Sequence, residues 1–150
     1  MIIAIAAESL LTPEGRALIE GSQQALLEVF SPDEIFSFTA EELALPEVTF
    51  LVARDESGPL GCVALVDCGD YAEIKRLYVG ARGRRKGVAR QLMEELEALA
   101  RARGFDWVRL ETGDALVPAV QLYTALGYAV RGPFGDYPEH PASLFMEKAL

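Results

Sequence analysis

The sequence has little of the chemistry that metal and nucleotide sites require. It contains one histidine and two cysteines, which are too few for a structural zinc site. Its only basic stretch carries glycines at 80, 83 and 87, which breaks the Gly-x-Gly-x-x-Gly pattern of dinucleotide sites. Lys86 precedes Gly87, whereas the lysine of a P-loop follows its glycine. We therefore expect neither a bound metal nor a magnesium-nucleotide site.

Positive charge and long apolar runs are also scarce. Fourteen Lys and Arg face 23 Asp and Glu, and the net charge of −9 argues against a nucleic-acid binder. No apolar run approaches the ~20 residues of a membrane span, and the first seven residues lack the basic leader of a signal peptide. We expect a cytoplasmic protein without membrane contact. Cys62 and Cys68 are predicted to be free core or near-core residues, because positions six apart along a strand cannot form a disulfide.

What is present predicts one domain over residues 1–150. About half of the residues are apolar and a quarter are charged, and 150 residues suffice for one substantial core. Periodicity, caps and turn residues then predict the elements. They are a strand over 1–7, a helix over 16–30 capped by Thr12, a short helix between Thr39 and Pro46, strands over 49–54, 60–67 and 72–79, a helix over 88–103, a strand over 105–111, a helix over 116–126, and strands over 128–131 and 142–147.

Several details of these elements can be predicted as well. Gly21 and Ser22 are expected to kink or split the first helix. The strands up to residue 79 should form an antiparallel meander, and residues 72–111 a right-handed parallel crossover. Alternation along the fourth strand is expected to put one set of side chains on one face and the other set on the opposite face. The first set is Ala72, Ile74, Arg76 and Tyr78, and the second is Glu73, Lys75, Leu77 and Val79.

Two loops are candidates for covering a site. The segment 132–141 is long and contains three prolines, and long loops of this kind often lie over functional sites. Ile35, Phe36 and Phe38 are apolar residues in an expected loop. They are interpreted either as a plug of the core or as an apolar wall of a substrate pocket, and the sequence does not decide between the two.

The basic stretch 82–89 is the strongest functional signal. Seven of the fourteen cations lie within residues 75–90, which contain no acid. The stretch follows a predicted strand and opens a predicted helix, where free backbone N–H groups and the helix dipole favour a bound phosphate. Arginines add forked hydrogen bonds to phosphate oxygens. The alternative interpretation is a solvated basic loop.

Three segments carry a family resemblance. Arg84-x-x-Gly87-x-Ala89 resembles the acyl-CoA signature Arg/Gln-x-x-Gly-x-Gly/Ala of the GNAT superfamily of N-acetyltransferases. Residues 119–128, with Leu122-Tyr123 followed by Gly127-Tyr128, are similar to its Ala-x-x-Leu-Tyr-x-x-x-Gly-Phe/Tyr block, and residues 73–79 to its fourth strand. The resemblance covers residues 48–148, and the first 47 only by element order. The family often has a cofactor-touching Asn where this chain has Leu116.

The resemblance implies an α/β (α+β) GNAT fold. Its mixed, mostly antiparallel central sheet has about seven strands, with a parallel crossover between the fourth and fifth, and about four helices. It implies an acetyl-CoA-dependent N-acetyltransferase that acts by direct attack in a ternary complex, without metal. The acceptor would be a small-molecule or protein amine, and the last strands could pair two subunits as a homodimer. The alternative is a non-catalytic acyl-CoA sensor of the same fold.

The same resemblance places the cofactor. The pyrophosphate is expected on backbone N–H groups of residues 85–89, beside the side chains of Arg84 and Arg82. The fourth and fifth strands should splay apart beyond residue 78, so that the pantetheine arm adds along the fourth strand, with the Val79 N–H as oxyanion donor. The predicted cofactor-binding residues are Leu77, Tyr78, Val79, Arg82, Arg84, Arg85, Lys86, Gly87, Val88 and Ala89.

Tyr123 is the predicted general acid toward the leaving thiolate, or alternatively a core tyrosine of the helix 116–126. An alkylamine has a pKa near ~10 and must lose a proton before attack. Glu73 is the predicted base, directly or through water, although a salt bridge with Lys75 is equally plausible, and Glu111 is the reserve. The residues expected to recognise a cationic acceptor are Asp114, Asp136 and Tyr137.

Overall fold

The computed structural model describes residues 2–35 and 39–150, so the interpretation of Phe36 and Phe38 lies outside the described residues. The strands are β1 (Ala4–Ala7), β2 (Val48–Asp55), β3 (Gly58–Asp67), β4 (Ala72–Val79), β5 (Trp107–Gly113), β6 (Ala129–Arg131) and β7 (Ser143–Ala149). The α-helices are α1 (Pro13–Leu27), α2 (Ala40–Leu43), α3 (Val88–Ala102) and α4 (Val117–Ala125), with 3₁₀ turns at Pro32–Glu34 and Ala81–Gly83.

The strands form one mixed sheet in the order β1-β2-β3-β4-β5-β7-β6. Neighbours pair antiparallel except β4 and β5, which are parallel and joined by α3. A parallel pair needs a crossover connection of this kind, whereas hairpins suffice for the antiparallel meander β2-β3-β4. The predicted fold class is confirmed.

Both faces of the sheet are covered. Leu92, Met93 and Leu96 recur at helical spacing on α3 and are fully buried against one face. On the other face, Leu18 and Ile19 of α1 pack with buried residues of α2, β2 and β3. The two layers hold β4 between them, so that β4 supplies side chains to both sides of the sheet.

The first helix begins as predicted and runs without the predicted break. The Thr12 hydroxyl accepts a hydrogen bond from the Gly15 N–H at 2.9 Å, which caps the N-terminus. A Cβ on Gly21 would lie 2.8 Å from the Tyr78 hydroxyl. Gly21 therefore lets α1 approach β4 closely, and the prediction of a kink or split at Gly21 and Ser22 is wrong.

A β-bulge in β4 changes the predicted facing of its side chains. Arg76 has a φ of 57°, and the register against β3 shifts between the pairs Cys62–Tyr78 and Ala64–Lys75. The extra residue reverses the alternation, as bulges do. Ile74 consequently shares the α3-side core with Leu77 and Val79, while Tyr78 packs on the α1 side. The predicted facing is wrong from Arg76 onward, because the Arg76 side chain contacts Ser22 and Gln23 of α1, on the side of Tyr78.

The gap between β4 and β5 opens earlier than predicted. The last parallel pair is Ile74–Leu110, although β4 continues to Val79 and β5 to Gly113. The strands therefore separate beyond residue 74 and not beyond residue 78. The bulge at Arg76 lies where pairing stops, and a bulge bends its strand and increases its twist.

Both cysteines are free, and they differ in exposure. Cys62 is buried in β3, whereas Cys68 is exposed in the turn after β3, so the prediction of a near-core position is wrong for Cys68. That turn contains Gly69 at a φ of 84° and leaves the sheet toward solvent. Among residues 2–35 and 39–150, no helix combines the length and hydropathy that crossing a membrane requires.

Candidate active site

The N-terminus of α3 has the form of an anion cradle. Gly87 is its N-cap with a φ of 75°, and the helix's first hydrogen bond runs from the Gln91 N–H to the Gly87 carbonyl at 3.1 Å. The N–H groups before Gln91 thus belong to the first turn, which has no helical acceptors of its own. A Cβ built on Gly87 would meet nothing within 4 Å, so the space beside the N-cap is open. The cradle fits a phosphate-bearing group such as a pyrophosphate.

The predicted cofactor cations differ in their surroundings. Arg84, Arg85 and Lys86 are exposed around the cradle. Arg82 instead donates to the Pro59 carbonyl at 2.8 Å, and its guanidinium lies 3.5 Å from the Asp55 carboxylate, so it also fastens the loop to the turn between β2 and β3.

Other residues of this segment face the protein interior. The Val88 side chain is 1% exposed, which leaves only its backbone N–H for a ligand, and Ala89 is half-buried behind it. A Cβ on Gly83 would lie 2.9 Å from the Val79 side chain, so glycine keeps the loop tight against β4. The loop is thereby held next to the open half of β4.

The gap between β4 and β5 leads into a cavity of about 240 Å³. Its walls come from α1 and the segment that follows it, α2, β4, β5, α4 and the loop before β7. The lining residues are Ser22, Ala25, Leu26, Phe30, Glu34, Ile35, Leu43, Ile74, Lys75, Arg76, Leu77, Tyr78, Leu110, Glu111, Thr112, Gly113, Leu116, Ala119, Tyr123, Tyr137 and Ala142.

The backbone of β4 presents a hydrogen-bond donor to this gap. A Cβ on Gly61 of β3 would lie 2.5 Å from the Tyr78 carbonyl oxygen, and the Gly80 N–H donates to the Leu60 carbonyl at 2.8 Å. Both groups therefore face β3. In a trans peptide the carbonyl and the following N–H point in opposite directions, so the Val79 N–H faces away from β3 and toward the gap.

Tyr123 lines the cavity and is buried. Its side chain is 6% exposed and packs edge-to-face on Tyr128, with ring centroids 5.9 Å apart. Burial raises the pKa of the Tyr123 phenol, and the nearby Glu111 carboxylate adds to the rise. The phenol therefore stays protonated at neutral pH, which suits a proton donor.

Glu73 is committed to a buried polar cluster. Its carboxylate accepts a hydrogen bond from the Tyr137 hydroxyl at 2.5 Å and lies 3.0 Å from the Lys75 ammonium. Lys75 also donates to the Tyr137 oxygen at 2.5 Å. The ion pair between Glu73 and Lys75, one of the two interpretations of the sequence, is thus formed. Glu73 is 5% exposed and is not among the cavity-lining residues.

Glu111 is a carboxylate that does line the cavity. Burial raises the pKa of Glu111 from its ordinary range to about 7, with a smaller contribution from the Glu73 carboxylate. A carboxylate with this pKa is deprotonated in a useful fraction at neutral pH and holds a proton more tightly than an exposed one. It is suited to accept a proton from a ligand in the cavity.

Comparisons with known proteins agree with this geometry. The profile of the acetyltransferase (GNAT) family matches residues 16–128. The chain belongs to this family. It is 38% identical over 150 residues to the IAA acetyltransferase of Azospirillum brasilense, covering 99% of this chain and 98% of that protein.

Solved structures share the fold. A structure from Klebsiella pneumoniae, assigned as an acyl-CoA N-acyltransferase, has a TM-score of 0.83 at 32% identity, over 99% of this chain and 98% of that one. The PaiA N-acetyltransferase of Thermoplasma acidophilum, solved in complex with coenzyme A, has a TM-score of 0.80 at 22% identity over 100% of both chains. The predicted enzyme class, an acetyl-CoA-dependent N-acetyltransferase of the GNAT family, is confirmed.

Some of the residues predicted to contact the acceptor line the cavity, and others do not. Tyr137 and Ile35 line it, whereas Asp114 and Asp136 are exposed and are not among its lining residues. Leu116, at the N-cap position of α4, lines it where the family often has Asn. Among residues 2–35 and 39–150, no cluster of three metal-ligating side chains is present.

The sequence pattern predicts one basic patch that joins Lys75 and Arg76 to the cations of the loop, but only Lys75 and Arg76 of this patch line the cavity. The available signal was a pair of cations inside a strand whose neighbours are apolar. Strict alternation places Lys75 and Arg76 on opposite faces of the sheet. Both reach the cavity because the bulge reverses the facing at that position.

Proposed function

We propose that the protein, acting as one domain, transfers an acetyl group from acetyl-CoA to an amine held in the cavity between α1 and the separated strands. The observation that carries the proposal is the lining of this one cavity. It joins the open half of β4, represented by Leu77 and Tyr78, to the proton donor Tyr123 and the proton acceptor Glu111. The α3 cradle, residues 80–89, follows directly on the end of β4 at Val79.

The cradle is suited to hold the phosphates of acetyl-CoA. Backbone N–H groups of residues 85–89 would bind the pyrophosphate, helped by the exposed side chains of Arg84, Arg85 and Lys86 and by Arg82. The pantetheine arm would lie along residues 77–79, where β4 has lost its parallel partner. When bound, acetyl-CoA supplies a thioester whose carbonyl carbon is open to attack by an amine.

Three groups of this chain serve the transfer. The amine lone pair forms the new C–N bond at the acetyl carbon, and the C–S bond breaks so that its electrons leave on sulfur. The Val79 N–H stabilises the charge that develops on the carbonyl oxygen. Tyr123 gives its proton to the leaving sulfur, and the proton lost by the amine goes to Glu111. The products are the N-acetylated acceptor and free CoA thiol.

Glu111 is preferred over Glu73 as the base for a geometric reason. Glu111 lines the cavity, whereas Glu73 is held by Tyr137 and Lys75. In this assignment Glu73 positions the Tyr137 ring and the Lys75 ammonium at the cavity wall. Direct or water-mediated proton transfer to Glu73, as predicted from the sequence, is the competing assignment.

The first experiment measures the melting temperature with and without acetyl-CoA, followed by CoA thiol release with a panel of amines. A ligand that binds the native state raises the melting temperature by mass action. We expect a rise with acetyl-CoA and amine-dependent thiol release. A rise without thiol release for any amine would support the acyl-CoA sensor, and no rise at saturating acetyl-CoA would contradict both functions.

A further inference from the structure

Arg76 has a position in the cavity wall that acetyl transfer to a simple amine does not explain. Its φ of 57° lies in the left-handed region, which is unfavourable for a residue with a long side chain. The residue sits at the β4 bulge, and its side chain lines the cavity. Strained backbone of this kind persists where the surrounding structure enforces it, and it often re-aims a side chain toward a ligand.

Helix α1 holds the Arg76 guanidinium with neutral oxygens. Nη1 donates to the Ser22 hydroxyl at 3.2 Å, and Nη2 donates to the Gln23 side-chain oxygen at 2.8 Å. Neutral acceptors orient a guanidinium without cancelling its charge. Burial lowers the pKa of Arg76, which shows that its charge is partly removed from water, and a partly desolvated charge attracts an anion more strongly.

Arg54 shows the opposite arrangement. Its Nε and Nη2 donate to the two Glu8 carboxylate oxygens at 2.7 and 2.6 Å, and Nη2 also donates to Glu14 at 2.7 Å. Carboxylates of the protein itself thus balance the charge of Arg54, which ties β2 to the start of α1. The contacts that α1 makes with Arg76 are instead a hydroxyl and an amide oxygen, and the Arg76 side chain lines the cavity.

Arg76 and Glu111 place a cation and a carboxyl group in the lining of the same cavity. A carboxylate that can accept a proton lies on β5, a guanidinium lies on β4, and apolar side chains such as Leu26, Phe30 and Leu43 complete the walls. The volume of about 240 Å³ is below the usual ~300–1,000 Å³ of small-molecule pockets, which favours a compact ligand.

We propose that the acceptor is an amino acid with an apolar side chain, whose carboxylate binds the Arg76 guanidinium while its amine faces Glu111. The forked N–H groups of arginine match a carboxylate, and hydrogen bonds between charged groups are the stronger ones. The apolar side chain of the ligand would pack on Leu26 and Phe30. This inference rests on the proposed acetyl transfer and adds the class of its acceptor.

The test compares each amino acid with the amine that lacks its carboxylate. The pairs are leucine with 3-methylbutylamine and phenylalanine with 2-phenylethylamine. Two quantities are measured for each compound. One is kcat/KM, from CoA thiol release, and the other is the Kd with which the compound binds the protein–CoA complex, by calorimetry. We expect the amino acid of each pair to be preferred by about 10- to 100-fold, the range of one charged hydrogen bond.

Variants separate the carboxylate contact from the different basicities of the amines. Arg76→Asn removes the guanidinium and keeps a residue type that tolerates the left-handed region. Arg76→Lys keeps a charge without the fork. Arg103→Asn is the matched control, since Arg103 is an exposed arginine at the C-terminal end of α3 that donates to Thr49 of β2. Gln23→Leu removes one oxygen that orients Arg76 and leaves Arg76 itself in place.

We expect Arg76→Asn to abolish the preference within each pair, Arg76→Lys to keep part of it, Gln23→Leu to reduce it and Arg103→Asn to leave it unchanged. Equal use of both members of each pair by the unmodified protein would overturn the inference and leave acetyl transfer intact. A preference that survives Arg76→Asn, or amino acids that neither bind nor react in a protein that binds acetyl-CoA, would also overturn it. Failure to bind acetyl-CoA would instead contradict the proposed function itself.

Discussion

The cradle and the cavity are built in opposite ways. The cradle is one continuous segment, residues 80–89, in which a 3₁₀ turn and the first turn of α3 follow directly from β4. The cavity draws its walls from α1 and the segment after it, α2, β4, β5, α4 and the loop before β7, which are spread over most of the sequence. A local segment can be recognised from its own residues, whereas an assembled cavity requires the positions of all these elements at once.

Their charges differ as well. Arg84, Arg85 and Lys86 of the cradle are exposed, so their field is screened by water and salt. Of the cavity-lining residues, Lys75 is paired with Glu73 behind the wall, and Glu111 has a pKa raised by burial. The cradle can therefore attract a polyanion from solution, while the cavity can control where a single proton resides.

Disruption of the cradle should have the largest effect. Arg84→Glu combined with Gly87→Trp removes a cation and places a bulky side chain in the open space beside the N-cap of α3. We expect acetyl-CoA no longer to raise the melting temperature and turnover to fall to background. The matched control is Arg103→Glu with Gly104→Trp at the other end of α3, because Gly104 also has a positive φ of 86° and open space at its Cβ position.

The control double variant carries the same charge change and similar backbone strain. If it also loses acetyl-CoA binding, the loss reflects damage to α3 and not to a cofactor site. If the cradle variant keeps an undiminished acetyl-CoA shift, the anion site lies elsewhere and the basic loop is ordinary surface.

Loss of the proton donor in the cavity should rank second. Tyr123→Phe is expected to lower kcat by about 100-fold or more, the usual range for a general acid, with acetyl-CoA affinity unchanged. Tyr128→Phe is the control, because this neighbouring phenol donates to the buried Glu97 carboxylate at 2.9 Å. Tyr128→Phe should reduce stability and spare kcat. Unchanged kcat in Tyr123→Phe would return Tyr123 to the role of a core tyrosine.

The pH dependence of kcat/KM should distinguish Glu111 from Glu73 as the base. With Glu111 as base, kcat/KM should rise with pH and level off above about 7, because only the deprotonated carboxylate accepts a proton. Glu111→Gln should remove this rise and lower kcat/KM by about 10- to 100-fold. Glu73→Gln should keep the rise and increase KM, because it loosens Tyr137 and Lys75. The reverse pattern, with the rise lost only in Glu73→Gln, would assign the base to Glu73.

The contrast between the two regions also explains what could be predicted from the sequence. Element order followed from periodicity and caps, and the Arg84-x-x-Gly87-x-Ala89 segment could be recognised because its geometry is local. The bulge at Arg76 could not be predicted, since the register against β3 selects it and no turn residue marks it. The choice between Glu73 and Glu111 likewise depended on Tyr137, which arrives from a loop more than 60 residues later in the chain.

The smallest expected effect concerns stability and probes the burial of Glu111. Its folded-state pKa of about 7 lies above the ordinary glutamate value of 4.5, so between these pH values the folded protein holds a proton that the unfolded chain has released. The free energy of unfolding contributed by Glu111 is therefore intact below about 4.5 and declines as pH rises through 7. Glutamine does not titrate, so Glu111→Gln should become more stable relative to the unmodified protein over this interval.

The relative gain should be about 1–3 kcal/mol between pH 4.5 and 7.5, measured by urea denaturation at each pH. Glu95→Gln, at an exposed position of α3, controls for the loss of one negative charge and should show a much smaller change. A flat difference for Glu111→Gln would mean that Glu111 titrates alike in folded and unfolded chains. The cavity would then lack its near-neutral carboxylate, and a rise in kcat/KM near pH 7 would have to come from another group.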